Sequence, residues 1–264
     1  MISDEKMMAV LGSPISHSLS PKLHNLAYSR LGVKANYQSF EVNSGDLSRF
    51  LDAHTPELWS GFSLTMPLKE EAFQLITKFD SDAKAASAIN TLVSDGENWA
   101  GINTDVFGFR YIFESFDVFD NEFDSVSILG AGGTARAALV ALDGFSGEIN
   151  IFRRSKARDL SLGLANTRAS IRDWEDVSEA FNSRIIINAL PIEGINSISN
   201  LIRRVDVVID ALYHPWPTLL SESQSGRYIS GKDLLVAQAL RQIELFSGRD
   251  IARGEFFAFL RSSI

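Results

Sequence analysis

A glycine-rich turn near the middle of the chain restricts the fold more than any other stretch. Residues 125–139 read SVSILGAGGTARAAL, with an apolar strand pattern before the glycines and an alanine-rich helix pattern after them. A second strand pattern, EINIFRRS, follows about twenty residues after the first. This order predicts a βαβ unit, in which two parallel strands are joined by a crossover helix.

The same turn is typical of a dinucleotide-binding loop. Gly130 permits the tight turn, Gly132 permits the close approach of a pyrophosphate, and Ala135 occupies the position where alanine can replace the third glycine. The helix that follows offers backbone N–H groups and the positive end of its dipole. The predicted cofactor loop consists of Gly130, Ala131, Gly132, Gly133, Thr134 and Ala135. The alternative is a tight turn with a structural role only.

The residues after the second strand predict which dinucleotide binds. Enzymes that use NAD usually have Asp or Glu at this point, whereas this chain has FRRSKAR. Arg153, Arg154 and Arg158 suit the 2′-phosphate of NADP, because guanidinium groups form charge-assisted, bidentate bonds with phosphate. We therefore expect NADP, with a solvated basic surface as the alternative.

Strand and helix patterns alternate along the rest of the chain. The segments MMAVLG, ANYQSFEV, WSGFSLTMP, SRIIINALP and VDVVIDALY read as strands, and AINTLVS with WAGINTD reads as a hairpin around DGEN. The segments KLHNLAYSRLG (ending at Gly32), GDLSRFLDAH, KEEAFQLI, GKDLLVAQALRQIELFSG and GEFFAFL read as helices, as does the stretch from Val106 to about Asn121. Such alternation predicts an α/β fold with parallel sheets, and the motif order places a boundary near Asp105.

Length and composition narrow the classes of function. A chain of 264 residues is long enough for one large or two modest domains. It has no cysteine, and His17, His24, His54 and His214 show no ligand spacing, so no metal site is predicted. The net charge of −8 argues against nucleic acid as a partner. No apolar run reaches the ~18 residues of a membrane span, and the acidic N-terminal stretch lacks the basic start of a secretory signal, so we expect a cytoplasmic protein.

Polar side chains cluster after the predicted strands of the first half. Parallel sheets gather ligand-binding groups at the ends of their strands, where the loops begin. Taken one at a time, these residues are also typical of turns, helix caps and exposed surface. The residues concerned are Ser18 and Ser20 in a serine-rich loop, Lys69, Asn90 and Asp105.

A series of segments along the whole chain resembles the shikimate dehydrogenase family. In the family's order, they are GSPISHSLSPKLHN, SLTMPLK, AINTLV, GINTDVFGF, LGAGGTARAAL, RRSKAR, DALYHPWPTLL and GKDLLVAQALRQIELFSG. Members of this family reversibly reduce 3-dehydroshikimate to shikimate, normally with NADPH, in the pathway to chorismate and the aromatic amino acids. The resemblance implies an α/β fold with a substrate domain of mainly parallel sheet over residues 1–105, a Rossmann-type NADP domain over 106–232, and C-terminal helices over 233–264 that return to the first domain.

The resemblance also implies roles for individual residues. Lys69 and Asp105 correspond to the catalytic pair at the reacting oxygen. The implied substrate-binding residues are Ser18 and Ser20 at the carboxylate, Tyr213 near it, and Thr65, Asn90 and Gln238 at the ring hydroxyls. Beyond the glycine-rich loop, the implied cofactor-binding residues are Arg153, Arg154, Ser155, Arg158, Asn188, Ala189 and Gly231. The chain departs from the family at Ser63, where Asn is usual, and at Leu190, where Thr is usual.

Two other functions fit the same fold. One is an NAD-dependent quinate or shikimate dehydrogenase, against which the arginines argue. The other is a catalytically silent, dinucleotide-binding regulatory protein, against which the joint presence of Lys69, Asp105 and Gln238 argues. The expected ligands are NADP and shikimate or 3-dehydroshikimate, with neither nucleic acid nor membrane as a partner, and the expected assembly is a monomer or homodimer.

Overall fold

The structure is a computed structural model that describes residues 5–119, 124–224 and 226–264. Within these ranges, two six-stranded sheets contain all the strands. The strands are β1 (Lys6–Gly12), β2 (Ala35–Glu41), β3 (Gly61–Leu64), β4 (Lys78–Phe79), β5 (Thr91–Ser94), β6 (Trp99–Ile102), β7 (Ser125–Leu129), β8 (Glu148–Arg153), β9 (Ser170–Asp173), β10 (Ile185–Asn188), β11 (Val207–Asp210) and β12 (Arg227–Ile229).

Helices connect most of these strands. The α-helices are α1 (Ser20–Leu31), α2 (Leu47–Ala53), α3 (Leu68–Leu75), α4 (Ser81–Ala86), α5 (Thr104–Ser115), α6 (Gly133–Ala141), α7 (Asp159–Ala165), α8 (Ile192–Asn196), α9 (Leu219–Ser223), α10 (Gly231–Ser247) and α11 (Arg253–Ser262). Short 3-10 helices cover Lys156–Arg158, Trp174–Asn182 and Ser199–Leu201. Over the described part of the chain, no helix combines the length and apolar character that crossing a membrane requires.

The chain divides into two compact units. Residues 1–108 and 235–264 form the first unit, and residues 109–234 form the second. The sheet of the first unit has the strand order β2-β1-β3-β5-β6-β4. Its β1 pairs in parallel with β2 and β3, while β5 runs antiparallel to β3 and β6, as the predicted hairpin requires. At the other edge β4 pairs in parallel with β6, so the first unit has a mixed sheet in which only β5 runs against the other strands.

The sheet of the second unit is parallel throughout, with the order β12-β11-β10-β7-β8-β9. Read from the opposite edge, this is the strand order 3-2-1-4-5-6 of a Rossmann fold. The order in which strands are added to the sheet reverses between its first and fourth strands. Here that reversal lies between β7 and β10. Ligands of such sheets bind beyond the carboxyl ends of the strands at this point.

Each unit has its own apolar core. Strands β10 and β11 are buried along their whole length, which explains their continuous Ile and Val runs, because a parallel sheet is covered on both faces. In the first unit, Leu11 on β1, Phe62 on β3 and Leu92 on β5 share one core cluster. Rigid strands of this kind fix the positions of the loops that follow them.

The structure corrects the predicted bounds of α5. We expected a helix from Val106 to about Asn121, whereas α5 begins at Thr104 and ends at Ser115; Asn121 itself lies outside the described residues. The helix ends because Asp117 adopts a left-handed backbone conformation with φ of 43°, and the Val118 N–H then donates to the carbonyl of Phe113. The predicted stop of α1 at Gly32 is confirmed, since Gly32 has φ of 62° and its N–H donates to the Ser29 carbonyl.

Candidate active site

Lys69 and Asp105 form an ion pair in the first unit. Strand β3 ends at Leu64, Pro67 precedes the first residue of α3, and Lys69 therefore lies in the first turn of that helix. Its Nζ donates to Oδ2 of Asp105 over 2.5 Å. The two side chains are 17% and 10% exposed, so the pair is shielded from most of the solvent while an approach to it remains.

Both oxygens of the Asp105 carboxylate have partners. Oδ2 accepts from Lys69, and Oδ1 accepts from Asn90 Nδ2 over 2.8 Å. Asp105 also lies in the first turn of α5, where the positive end of the helix dipole favours a negative charge. The carboxylate is therefore held in one orientation beside the lysine.

Asn90 is more deeply buried than the sequence suggested, with 2% of its surface exposed. Its Nδ2 also donates to Thr104 Oγ1, and its Oδ1 accepts from the Thr104 backbone N–H over 2.7 Å. In this structure, Asn90 thus orients Asp105 and the start of α5. Its predicted contact with a ring hydroxyl of the substrate stays a prediction.

Gln238 on α10 joins the same group. Its Oε1 accepts from Thr104 Oγ1 over 3.2 Å, and its Nε2 donates to the carbonyl of Leu235. Helices α5 and α10 approach closely here, since a Cβ added at Gly108 would lie 3.0 Å from the backbone nitrogen of Gln238. Glycine at position 108 therefore allows Gln238 to lie beside the first turn of α5.

The serine loop and Thr65 follow neighbouring strands. Ser20 is the first residue of α1, and its backbone N–H donates to Ser18 Oγ over 3.3 Å. A Cβ added at Gly12, the last residue of β1, would lie 2.3 Å from Thr65 Cγ2, so the backbone before the serine loop runs directly beside Thr65. These hydroxyl groups, with Lys69, suit a small polyhydroxy acid. Tyr213 belongs to the second unit, in the loop after β11, and its role at the substrate carboxylate stays a prediction.

The glycine-rich loop of the second unit has the geometry that a dinucleotide requires. Gly130 directly follows β7 with φ of 110°, and a Cβ there would lie 3.1 Å from the Ala189 carbonyl oxygen. At Gly132, which precedes α6, an added Cβ would meet no atom within 4 Å. Ala135 is fully buried where the helix packs. The space above Gly132 at a helix N-terminus therefore fits the pyrophosphate of a dinucleotide.

The predicted cofactor-binding residues at and just after the end of β10 and at the start of α10 make hydrogen bonds and packing contacts within the second unit. Asn188 is fully buried at the end of β10, and its amide donates to Asp210 Oδ1 over 2.9 Å. Leu190, in the place of the family's usual Thr, packs into the core of the second unit. Gly231 is required by packing, because a Cβ there would lie 2.5 Å from the Leu212 carbonyl oxygen. The predicted contacts of Asn188, Ala189 and Gly231 with the cofactor stay predictions.

The three arginines that were predicted to bind the 2′-phosphate have different surroundings. Arg153 is 6% exposed, and its guanidinium donates to both oxygens of Asp159 and to Asp173. These hydrogen bonds raise the pKa of Arg153 and lower the pKa values of both carboxyl groups. Two carboxylates thus pair with Arg153, and its predicted contact with the 2′-phosphate stays a prediction.

The other two arginines remain suitable for a phosphate. Arg154 is exposed, and its guanidinium lies over the ring of Trp174 at 4.7 Å and donates to Ser197 Oγ over 3.0 Å. Ser155 and Arg158 lie at the start and end of the following turn, which is the 3-10 helix Lys156–Arg158. The stacking on Trp174 holds the Arg154 cation in place at the surface.

Sequence reasoning missed three residues at this site, Thr91, Thr104 and Gln242. Thr104 touches Asn90 and Gln238, and Gln242 touches Thr91 beside Asn90. Gln242 lies four residues after Gln238 and hence on the same face of α10, which was the available signal. Among the described residues, no group of three or more His, Asp and Glu side chains is placed to hold a metal ion.

Comparisons with known proteins agree on one family. The family model described as the shikimate dehydrogenase substrate binding domain matches residues 10–92. The shikimate dehydrogenase (NADP(+)) of Methanococcoides burtonii is 33% identical over 258 residues, which cover 93% of this chain and 94% of that protein. The crystal structure of Mycobacterium tuberculosis shikimate dehydrogenase matches with a TM-score of 0.84 at 29% identity, over 98% of this chain and 100% of that one. The shikimate 5-dehydrogenase of Thermus thermophilus, in complex with NADP(H) and shikimate, matches with a TM-score of 0.80 at 25% identity, over 98% of this chain and 100% of that one.

Proposed function

The chain belongs to the shikimate dehydrogenase family, and from that membership we propose that it catalyses the reversible, NADP-dependent reduction of 3-dehydroshikimate to shikimate. The observation that carries the proposal is the Lys69–Asp105 ion pair, shielded and anchored by Asn90. It is the pair that the resemblance assigned to the reacting oxygen. Thr65, Gln238 and the serine loop belong to the same unit.

The two units have different tasks in this proposal. The first unit, residues 1–108 with 235–264, binds the substrate, and the second, residues 109–234, binds NADP. Ser18 and Ser20 bind the carboxylate, and Thr65, Asn90 and Gln238 hold ring hydroxyls. Rigid strands support both the serine loop and Thr65, because β1 precedes the loop and β3 precedes Thr65.

Lys69 supplies the proton for the reduction. Its ammonium group donates a proton to the ketone oxygen as negative charge develops there. Asp105 holds the ammonium ion in position through its 2.5 Å contact. In the reverse direction, the amine receives the proton of the hydroxyl group. The low exposure of the pair strengthens its electrostatic effect on the reacting oxygen.

The residues of the second unit fit NADP, which supplies the hydride when bound. Gly132 leaves space for the pyrophosphate at the N-terminus of α6. Arg154 and Arg158 provide cationic groups for the 2′-phosphate, and Arg153 holds the chain around them through Asp159 and Asp173. A carboxylate at the end of β8, which NAD enzymes use, is absent from the sequence there.

The proposal is tested by recording the absorbance of NADPH when the purified protein is mixed with shikimate and NADP. We expect NADPH to form with shikimate and NADP, and much more slowly with NAD. Parallel assays with quinate and NAD distinguish the alternative quinate or shikimate dehydrogenase. If no reduced cofactor forms with any of these pairs, the proposed reaction is wrong and a silent, dinucleotide-binding protein becomes the better interpretation.

Assembly and location are part of the same proposal. We propose a monomer or homodimer in the cytoplasm, where a cysteine-free enzyme needs no disulfide for stability. Sedimentation equilibrium of the purified protein would distinguish the two assemblies, and a tetramer would contradict both.

A further inference from the structure

A buried chain of hydrogen bonds leads from Gln242 to the catalytic pair. Gln242 Nε2 donates to Thr91 Oγ1 over 2.8 Å, and Thr91 Oγ1 donates to Asn90 Oδ1 over 3.0 Å. Asn90 Nδ2 donates to Asp105 Oδ1, and Lys69 donates to the other oxygen of Asp105. The path thus runs from α10, through β5, to the first turn of α5.

Gln242 is itself fixed at its other end. Its Oε1 accepts from Ser63 Oγ over 2.9 Å and from His24 Nε2 over 3.2 Å. Ser63 in turn accepts from the Tyr37 hydroxyl over 2.6 Å, and Tyr28 OH lies 2.9 Å from His24 Nδ1. Ser63, which replaces the family's usual Asn, therefore contacts Gln242 directly.

The donors in this network have one consistent direction. His24 is fully buried and stacked on Tyr37, and burial lowers its pKa to about 3, so the ring is neutral and donates through one nitrogen only. Burial also raises the pKa values of Tyr28 and Tyr37, which keeps both hydroxyl groups protonated as donors. The Thr104 backbone N–H points at Asn90 Oδ1, which leaves Asn90 Nδ2 facing the carboxylate.

Gln242, Thr91 and Asn90 are 1%, 0% and 2% exposed, so solvent offers these side chains no alternative partner. The amide of Asn90 donates to Thr104 and Asp105, and it accepts from Thr91 and from the Thr104 backbone. It therefore cannot rotate without leaving polar groups unpaired. Among the described residues, the only buried side-chain atoms without a hydrogen bond are Asp124 Oδ2 and Asn150 Oδ1, both in the second unit.

We infer that Gln242 and Thr91 are positioning residues for the reaction: they fix the amide of Asn90, and through it the orientation of the Asp105 carboxylate beside Lys69. Neither residue touches the ion pair itself. The inference rests on the proposed function for its kinetic consequence, whereas the geometry of the network does not depend on the substrate.

The main test is Thr91→Val, which removes the hydroxyl group and keeps the shape. We expect kcat for shikimate oxidation to fall about tenfold, with little change in KM for NADP. Thr91→Ser restores the hydroxyl group and should restore kcat to within about twofold of the wild type. Gln242→Met removes the amide on the other side of Thr91 while filling a similar volume, and should lower kcat in the same way.

A second readout does not require catalysis. NMR measurement of hydrogen exchange at the side-chain amide of Asn90 should show faster exchange in Thr91→Val, because the amide is less firmly held. Ser127→Ala is the control, since it removes a buried hydroxyl group of the second unit that pairs with Ser183 and lies outside the network. This control should lower stability yet keep both kcat and the Asn90 exchange rate.

The possible outcomes separate the two proposals. If the kcat of Thr91→Val stays within about twofold of that of Ser127→Ala and the Asn90 exchange is unchanged, the positioning role is wrong. If the wild type lacks activity with shikimate, the proposed function fails, and faster exchange in Thr91→Val then still supports the positioning of Asn90 by Thr91. If exchange is unchanged in that case, both proposals fall.

Discussion

The ammonium nitrogen of Lys69 and Oδ2 of Asp105 lie 2.5 Å apart, although 36 residues separate them in the chain. Each occupies the first turn of its helix, α3 for the lysine and α5 for the aspartate. The hairpin β5–β6 lies between them in sequence and brings the two helix starts together. The pair therefore depends on the sheet of the first unit rather than on a local turn.

We expect Lys69→Ala to lower kcat for shikimate oxidation by about 10²–10⁴ and to change KM for shikimate much less, because the proton donor acts mainly in the transition state. Steady-state kinetics with NADP measure both constants. Lys78→Ala is the matched control, since Lys78 is an exposed lysine that also pairs with an aspartate, Asp95. Near-normal turnover in Lys69→Ala would remove this lysine from the mechanism.

Arg154→Asp should lower the preference for NADP over NAD by roughly 10- to 100-fold, because it replaces a phosphate partner with a group that repels phosphate. The ratio of kcat/KM for the two cofactors measures this preference. Arg49→Asp makes the same change of charge at an exposed position of the first unit and should keep the ratio. An unchanged ratio in Arg154→Asp would assign the 2′-phosphate to other residues.

Two glycines of the cofactor loop should respond differently to alanine. Gly130→Ala should lower the free energy of unfolding by about 1–3 kcal/mol, because its φ of 110° strains a side chain and the methyl group would press on the Ala189 carbonyl. Gly132→Ala should change stability by less than about 0.5 kcal/mol and yet weaken NADP binding, because the methyl group would fill the space that we assign to the pyrophosphate. Urea denaturation and fluorescence titration with NADP measure the two effects. Equal affinity for NADP in Gly132→Ala and the wild type would contradict the assignment.

His24 should make the first unit less stable in acid. Its pKa of about 3 in the folded protein is below the ordinary value of 6.5, so below pH 6.5 the unfolded chain binds a proton that the folded chain does not. The contribution of His24 to the free energy of unfolding is complete above pH 6.5. It is lost as the pH falls towards 3, by up to about 1.4 kcal/mol per pH unit. Urea denaturation between pH 7 and pH 5 should give a flatter dependence for His24→Gln than for the wild type. His17→Gln, at an exposed position of the serine loop, should keep the wild-type slope, and equal slopes for all three proteins would contradict the prediction.

The sequence predicted the layers of the fold well because these follow from local patterns. The strand–glycine–helix order indicated β7, the loop from Gly130 and α6, and the apolar runs indicated β10 and β11. The short strands β4, β9 and β12 were missed, since two to four residues contain too little alternation to recognise. The early end of α5 was missed because it depends on the backbone of Asp117, which no repeat of apolar residues reports.

The sequence predicted the reacting residues but not what supports them. Lys69 and Asp105 were found through motifs, whereas Gln242 and Thr91 are 151 residues apart, and no role was assigned to them although both lie in segments that resemble the family. The two carboxylates around Arg153 were missed for a similar reason, because Asp173 is twenty residues further along the chain, on a different strand. A run of basic residues alone therefore could not show which arginine forms ion pairs with carboxylates of the same unit.

The first unit contains both the beginning and the end of the chain, with the whole second unit between them. During synthesis from the N-terminus, the helices α3 and α5 that carry Lys69 and Asp105 emerge well before α10, while the second unit can already fold as a domain of its own. Gln238 and Gln242 reach the site only after the second unit has been made. A ribosome-bound chain that ends before α10 should therefore have a folded second unit and an unfinished catalytic site, which delays activity until α10 has been made.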